Sequence, residues 1–281
     1  MAKILEAKII YDRLKLELRR NIAQLPRLTL ASLSMADNYS CEVYLNSQRK
    51  LAEDVGVDYL AIELPKNVSS QKVIDTIKDL NRKDKITGIM VNKPFPEGLD
   101  EAEVFAAIQT QKDIEGVNPY NLGRLFIGEP LFISPTVLSV LELLKTTKVN
   151  LYGKEVVIVG FSTLIGKPLA LLLGKEFATV SVTHIATYER GRLAAYIKSA
   201  DIVISAVGKP HLIKGEWIKK RAIVIDVGIG EKDGKLVGDV EFAAARAKAS
   251  FITPVPGGVG KLTTMFLFKN LLVAYQLNHD H

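Results

Sequence analysis

Gly160, Ser162 and Gly166, in the stretch KEVVIVGFSTLIGKPLALLL at residues 154–173, have the types and spacing for phosphate chemistry. Val156 to Val159 is a short β-branched run, as expected of a strand covered on both faces. Gly160 then permits a sharp turn, and Gly166 removes the side chain that would keep the next helix off the sheet. Backbone N–H groups at such a helix start face a pyrophosphate. The spacing is G-x-S-x-x-x-G, with Ser162 where the usual fingerprint has its second glycine. Taken alone, it is equally compatible with a tight turn and nothing more. Other residues able to do chemistry lie earlier. KDIEGVNPYNLGRL, residues 112–125, is rich in Gly, Asn and Pro and reads as largely irregular, yet it holds Asp113, Glu115, Tyr120 and Arg124. A loop of that length inside a compact domain is more often functional than idle. His184, His211, His279 and His281 are scattered, and no metal-ligand cluster appears, so no metal is expected.

These residues need elements to hold them. Val180 to Thr183, Ile202 to Ser205 and Ile223 to Asp226 are further β-rich runs separated by helix-compatible segments. With the first strand they predict a doubly wound parallel sheet, and several loops then converge on one strand-end crevice. The earlier part is also α/β. Residues 3 to 24 show a helical apolar face that ends before Pro26, and Leu28 to Met35 follows as a strand. A helix capped by Asp37 or Ser40 runs to about Val55 and stops at Gly56. Tyr59 to Leu64 reads as a strand, Ser69 to Arg82 as a helix and Ile86 to Val91 as a strand that ends in the proline-rich VNKPFPEGLD. Asp100 to Ile108 is a short helix, and Ser134 to Lys145, with Pro135 in its first turn, leads into the second domain. FITPVPGGVG, residues 251–260, forms a Pro/Gly loop, and Leu262 to Leu277 makes a last helix that returns to pack on the first domain.

Composition bounds the alternatives. A chain of 281 residues with 48% hydrophobic content can bury two modest cores. No apolar run reaches membrane-spanning length, and MAKILEAKIIYDRLK reads as an amphipathic helix rather than a signal peptide, so no membrane partner is expected. Cys41 is the only cysteine, which excludes an internal disulfide and fits the cytoplasm. The net charge of +6 comes without a basic block or aromatic-basic interleaving, which argues against nucleic acid. An anionic cofactor or substrate suits such a surface.

Several segments together resemble the bifunctional methylenetetrahydrofolate dehydrogenase/methenyltetrahydrofolate cyclohydrolase family. VYLNSQRKLAEDVG is similar to that family's Tyr-x-x-x-Lys helix, GIMVNKPFPEGLD to its Val-Gln-x-Pro-x-Pro loop and KDIEGVNPYNLGRL to its Lys-Asp-Val-Asp-Gly segment. VIVGFSTLIGKPLALLL, AVGKP, AIVIDVGI, GDV and ITPVPGGVGKLT match as well. The resemblance implies an N-terminal α/β catalytic domain over 1–133, completed by the C-terminal helix 262–281, and a Rossmann-type nucleotide-binding domain over 134–261, with a cleft between them. It also implies a homodimer, a tetrahydrofolate derivative as substrate and a nicotinamide dinucleotide as cofactor. The family reaction oxidises the methylene bridge of tetrahydrofolate by hydride transfer, and a second step hydrolyses the methenyl bridge. By resemblance Tyr44, Gln48, Asn92 and Glu115 hold the catalytic positions. Val91, Asn92, Lys93, Pro254, Val255, Pro256, Gly257 and Gly258 join Tyr44 and Glu115 around the substrate. Gly160, Phe161, Ser162, Gly166, Ile185 and Ile229 meet the cofactor.

The departures from the family pattern fall on the catalytic positions. Tyr44 matches the tyrosine that stacks on the pterin, but the lysine expected four residues on is Gln48, one helical turn away on the same face and therefore pointing into the same cleft. Glutamine hydrogen-bonds but cannot relay a proton at neutral pH. Asn92 replaces a glutamine, Lys93 an apolar residue and Glu115 an aspartate, while Cys41 and Ala36 replace a serine and a glycine. Two readings of Lys93 compete: a relocated ammonium facing the substrate, or a solvated lysine beside a weakened or lost hydrolytic step. Cofactor choice leans to NADP, with NAD as the alternative, although Ile185 stands where related enzymes often place a serine or arginine and Phe161 is not basic. Arg190 and Arg192 lie a few residues beyond. The expected function is a methylenetetrahydrofolate dehydrogenase with doubtful cyclohydrolase activity. The competing readings are a non-catalytic relative acting as sensor or partner subunit, and an enzyme on a different pterin one-carbon carrier.

Overall fold

The computed structural model describes residues 1–35 and 39–279. The chain forms two compact units, one of Met1–Tyr11 with Thr136–Thr263, the other of Asp12–Pro135 with the chain from Thr264 onward.

The first unit is built on a six-stranded sheet, in the order Lys3–Ile4, Phe251–Ile252, Ile223–Asp226, Ile202–Ser205, Glu155–Val159, Thr179–Thr183. Every neighbouring pair is parallel. The strand Glu155–Val159 is flanked by the next strand in the chain on one side and by Ile202–Ser205 on the other, so the order reverses there. A crevice opens beyond the carboxyl ends of strands at such a point, which is where ligands bind. Ile202–Ser205 and Ile223–Asp226 are buried along their whole length, as β-branched strands covered on both faces must be. Leu193 and Ile197 pack with Val157, Val203 and Val224 in one core cluster.

The second unit holds a three-stranded parallel sheet in the order Asp58–Glu63, Thr29–Ser34, Gly88–Val91. Helix Tyr39–Val55 connects the central strand to its first neighbour and ends at Gly56, whose φ of +80° suits a glycine. Helix Ser70–Asn81 is capped by the Ser69 side chain and Glu101–Ala107 by Asp100, as serine and aspartate before an apolar-periodic run lead one to expect. The last helix, Val259–His279, is longer than the 262–277 expected. Asn270 Nδ2 on it donates to the carbonyls of Ile114 and Ile133, at 2.7 and 2.9 Å.

Three local expectations need correction. The stretch 3–24 is not one helix: Lys3–Ile4 pairs with Phe251–Ile252, and the helix is Lys8–Ile22. A two-residue strand is too short to leave a period in the sequence, and tertiary pairing decides it. The segment 112–125 is not irregular throughout, because Pro119–Phe126 is helical, with Asn118 accepting from Tyr120 N and Pro119 in the first turn. The hairpin Gly230–Lys232 with Lys235–Val237 was missed, although Asp233 and Gly234, at φ +52° and +69°, are a common hairpin turn pair. Ala36, Asp37 and His281 lie outside the described residues, and the helix that Asp37 or Ser40 was expected to cap begins at Tyr39. Among the described residues no helix is long and apolar enough to cross a membrane, and no group of three or more His, Cys, Asp or Glu can hold a metal ion.

Candidate functional site

The helix Tyr39–Val55 brings Tyr44 and Gln48 one turn apart, but the two side chains do different things. Tyr44 stays partly exposed. Gln48 is fully buried against the small sheet and remains a hydrogen-bond neighbour of Tyr44. Its Oε1 accepts from Ser32 Oγ at 2.9 Å and Tyr59 Oη at 3.0 Å. Its Nε2 donates to Asn92 Oδ1 at 3.0 Å and reaches Met90 Sδ at 3.4 Å. Asn92 Nδ2 donates to Ser32 Oγ and to the Leu33 carbonyl, each at 2.8 Å. Glutamine, asparagine, serine and tyrosine thus satisfy one another in a buried cluster with no charge at neutral pH. The physical reason is direct: an amide carries a donor and an acceptor, so it can saturate locally where an ammonium, with donors only, cannot.

Lys93 follows Asn92 and is exposed. Its Nζ lies 2.5 Å from Glu101 Oε2 and above the rings of Phe95 and Phe105, 5.6 and 5.7 Å from their centroids. Lys93 is thus paired with Glu101 while its charge still acts on the Glu115 carboxyl. Val91 is buried in the last strand position. Glu115 is partly buried, and its carboxyl is pushed up to about 8, first by burial and then by the charge of Asp113, with Lys93 opposing. The phenol of Tyr44 is pushed far above the ordinary tyrosine range by burial, with the charges of Glu115 and Tyr59 in the same direction and a hydrogen bond with Gln48 opposing. Tyr44, Gln48, Asn92 and Glu115 therefore form one electrostatic neighbourhood.

Three residues here escaped the sequence reading as site members. Ser32 and Tyr59 orient the Gln48 amide, and the available signal was a serine inside an otherwise apolar buried strand, TLASLS. Asp113 was noticed but given no role. Its Oδ2 accepts from Asn118 N at 2.8 Å and Asn121 Nδ2 at 2.7 Å, which pins the segment carrying Glu115.

In the other unit, the turn after Glu155–Val159 fits a dinucleotide. Gly160 has φ +117°, and a Cβ there would lie 2.6 Å from the Ala206 carbonyl oxygen. At Gly166, the first residue of helix Gly166–Lys175, a Cβ would lie 2.1 Å from the Gly160 carbonyl oxygen. Ser162 Oγ accepts from Ile165 N at 3.1 Å and so shapes the turn from within. The amides of that first turn have no intrahelical partner and suit a pyrophosphate. Phe161, Ile185 and Ile229 are all about half exposed, at 53, 49 and 48%, an unusual state for large apolar side chains at a strand-end crevice.

Two aspartates that the sequence reading passed over hold the loops of this crevice. Asp239 accepts from Ser205 Oγ and Val207 N with one oxygen and from Lys209 N with the other, at 2.7 to 2.9 Å. Asp226 accepts from the amides of Gly228, Asp239 and Val240. Burial pushes the Asp226 carboxyl up to about 7, with Asp239 adding to it and the backbone amides opposing. A Cβ at Gly228 would meet the Asp239 carboxylate, and one at Gly238 the Asp226 carboxylate, each at 2.1 Å, so glycine beside aspartate was the signal. Pro254 to Gly258 belongs to this same unit, not to the one with Tyr44 and Glu115. Gly257 there has φ +105°, and its carbonyl accepts from Ala7 N at 3.1 Å.

Comparison with known proteins finds two profiles of one family along the chain. The profile of the tetrahydrofolate dehydrogenase/cyclohydrolase catalytic domain matches residues 5–115, and that of the same family's NAD(P)-binding domain matches residues 134–279. A Geotalea daltonii protein named bifunctional protein FolD is 44% identical over 279 residues, 97% of this chain and 98% of the relative. A solved Trypanosoma brucei methylenetetrahydrofolate dehydrogenase-cyclohydrolase, described as complexed with NADP cofactor and inhibitor, superposes with a TM-score of 0.93 at 35% identity, covering 99% of this chain and 98% of that one. A methylenetetrahydrofolate dehydrogenase from the silkworm Bombyx mori gives 0.92 at 34% identity, with full coverage of both chains.

Proposed function

The chain belongs to the tetrahydrofolate dehydrogenase/cyclohydrolase family, and from that premise we infer that it oxidises methylenetetrahydrofolate to methenyltetrahydrofolate with NAD(P), NADP favoured, while hydrolysing the methenyl bridge weakly or not at all. The observation that carries the second half is the buried, fully hydrogen-bonded Gln48 amide.

The two steps make different demands. Oxidation moves a hydride and no proton, so it asks the protein chiefly for positioning. A bound nicotinamide supplies the hydride acceptor. In this reading Tyr44 offers the pterin a neutral aromatic face, since its phenol does not ionise in the working range. Glu115 accepts hydrogen bonds from the pterin edge, and Asp113 holds the segment that presents it. Val91 and Asn92 line the same site from the strand end, and Lys93 closes it with its apolar stem. Gly160, Phe161, Ser162, Gly166, Ile185 and Ile229 within 134–261 receive the dinucleotide.

Hydrolysis adds water to the methenyl carbon, breaks one carbon–nitrogen bond and releases a proton, which some group must take up. Gln48 cannot, and its hydrogen bonds to Ser32, Tyr59 and Asn92 leave its amide fixed. The proposal extends to a cytoplasmic homodimer: a single cysteine, with no internal disulfide possible, fits a reducing compartment, and sedimentation checks the dimer. Mixing the protein with methylenetetrahydrofolate and NADP⁺ is expected to raise methenyl absorbance that then persists. No oxidation with either cofactor would defeat the first half of the reading, and rapid loss of the methenyl signal the second.

A further inference from the structure

We propose that Lys167 is the residue by which this chain recognises the adenosine ribose 2′-phosphate of NADP, with Phe161 as the platform that holds its ammonium at the end of the second strand. The proposal rests on the NAD(P) reading above and goes beyond it by naming the group that discriminates between the two dinucleotides.

In this fold the adenosine ribose is read where the strand after the glycine turn ends. Here those two strand ends are neighbours: Val159 is in register with Thr183, and Gly160 N donates to the Thr183 carbonyl at 2.8 Å. The residues that continue from them are Phe161, Ser162 and Thr163 on one side and His184, Ile185, Ala186 and Thr187 on the other, with no carboxylate, lysine or arginine among them. A ribose hydroxyl tolerates such a border. A phosphate placed between the exposed Phe161 phenyl and Ile185 aliphatic surfaces does not, unless a cation reaches it.

Lys167 is the cation whose position answers that need. It is the second residue of helix Gly166–Lys175, and helical side chains lean toward the N-terminus, which here means back over the turn. Its Nζ lies 5.3 Å from the Phe161 ring centroid, and it pairs with no carboxylate among the described residues. An exposed ammonium over an aromatic face is weakly held and readily exchanges that contact for an anion. Arg190 and Arg192 are placed less well. They follow the far end of helix Ile185–Glu189, about 8 Å of helix beyond the strand end.

Equilibrium binding tests this without turnover. NADP⁺ and NAD⁺, and the fragments adenosine 2′,5′-bisphosphate and adenosine 5′-monophosphate, are titrated calorimetrically into the full chain. The unaltered protein is expected to bind each 2′-phosphorylated ligand about tenfold or more tightly than its partner. Lys167→Gln should bring both ratios to within about twofold while leaving NAD⁺ affinity unchanged, Lys167→Arg should keep them, and Arg190→Gln should not move them. A ratio that survives Lys167→Gln overturns the proposal. So does an equal loss for NAD⁺ and NADP⁺, which would assign Lys167 to the pyrophosphate, and so does a preference of the unaltered chain for NAD⁺. Failure to bind either dinucleotide would remove the cofactor reading as well, an outcome distinct from all of these.

Discussion

The glycine turn at 160–166 and the amide cluster around Gln48 show two ways of storing function. At the turn the chemistry resides in the backbone: Gly160 and Gly166 permit an approach that any Cβ would block, which suits the amides there to an anion. Side chains around it, Phe161 and Ile185 among them, are about half exposed and do not fill the turn. At the cluster the chemistry resides in side-chain charge, and exchange of one residue type changes what the site can do. Gln48 and Asn92 together form a network that is satisfied and neutral. Backbone-borne function withstands substitution that side-chain-borne function does not, and the proposed function rests on that contrast.

The sharpest way to break the contrast is at the turn. Gly166→Val is predicted to weaken NADP⁺ binding by about a hundredfold or more, because a Cβ has no room beside the Gly160 carbonyl, and calorimetric titration reads it. Cofactor affinity that survives would mean the backbone is not the binding element. At the cluster, Gln48→Leu strands Asn92 Oδ1 and the Ser32 and Tyr59 hydroxyls in a buried site. It should cost about 2–4 kcal/mol of stability in a urea titration. Gln48→Lys instead restores a group that can carry a proton. Methenyl hydrolysis should rise by about tenfold or more, with oxidation changed less than about threefold.

Glu115 sharpens the comparison through pH. Its folded-state carboxyl is raised by burial first and by Asp113 second, so the stability tied to its protonated form is complete below the ordinary carboxylate range near 4.5 and lost as pH rises through about 8. Relative to Glu115→Gln, the unaltered protein should lose about 1–2 kcal/mol between pH 5 and 9, allowing for solvent screening, as thermal melts across that range would show. The smallest effect belongs to Lys93. Lys93→Met breaks only an exposed pair with Glu101 and should shift stability by less than about 1 kcal/mol, with methenyl turnover unchanged. A marked drop in hydrolysis in that variant would revive the relocated ammonium.

The same division explains what could be read in the sequence. The strands Glu155–Val159, Ile202–Ser205 and Ile223–Asp226 were legible because burial on both faces demands unbroken β-branched runs, and the turn because glycine spacing reports backbone geometry directly. The strand Lys3–Ile4 was not, since two residues carry no period and their partner lies at Phe251–Ile252. The identities of Tyr44, Gln48, Asn92 and Glu115 pointed to a site. Neither the burial of Gln48 nor the parts of Ser32 and Tyr59 could be read, because hydrogen-bond partners 11 and 16 residues away are set by packing rather than by spacing. The aspartate clamps at Asp226 and Asp239 escaped for the same reason.

The decay of methenyltetrahydrofolate, followed by its absorbance after oxidation is complete, tests the central claim most directly. With Gln48 unable to move a proton, the decay should run little faster with the protein present than in buffer alone. A rapid decay that scales with protein concentration would contradict it.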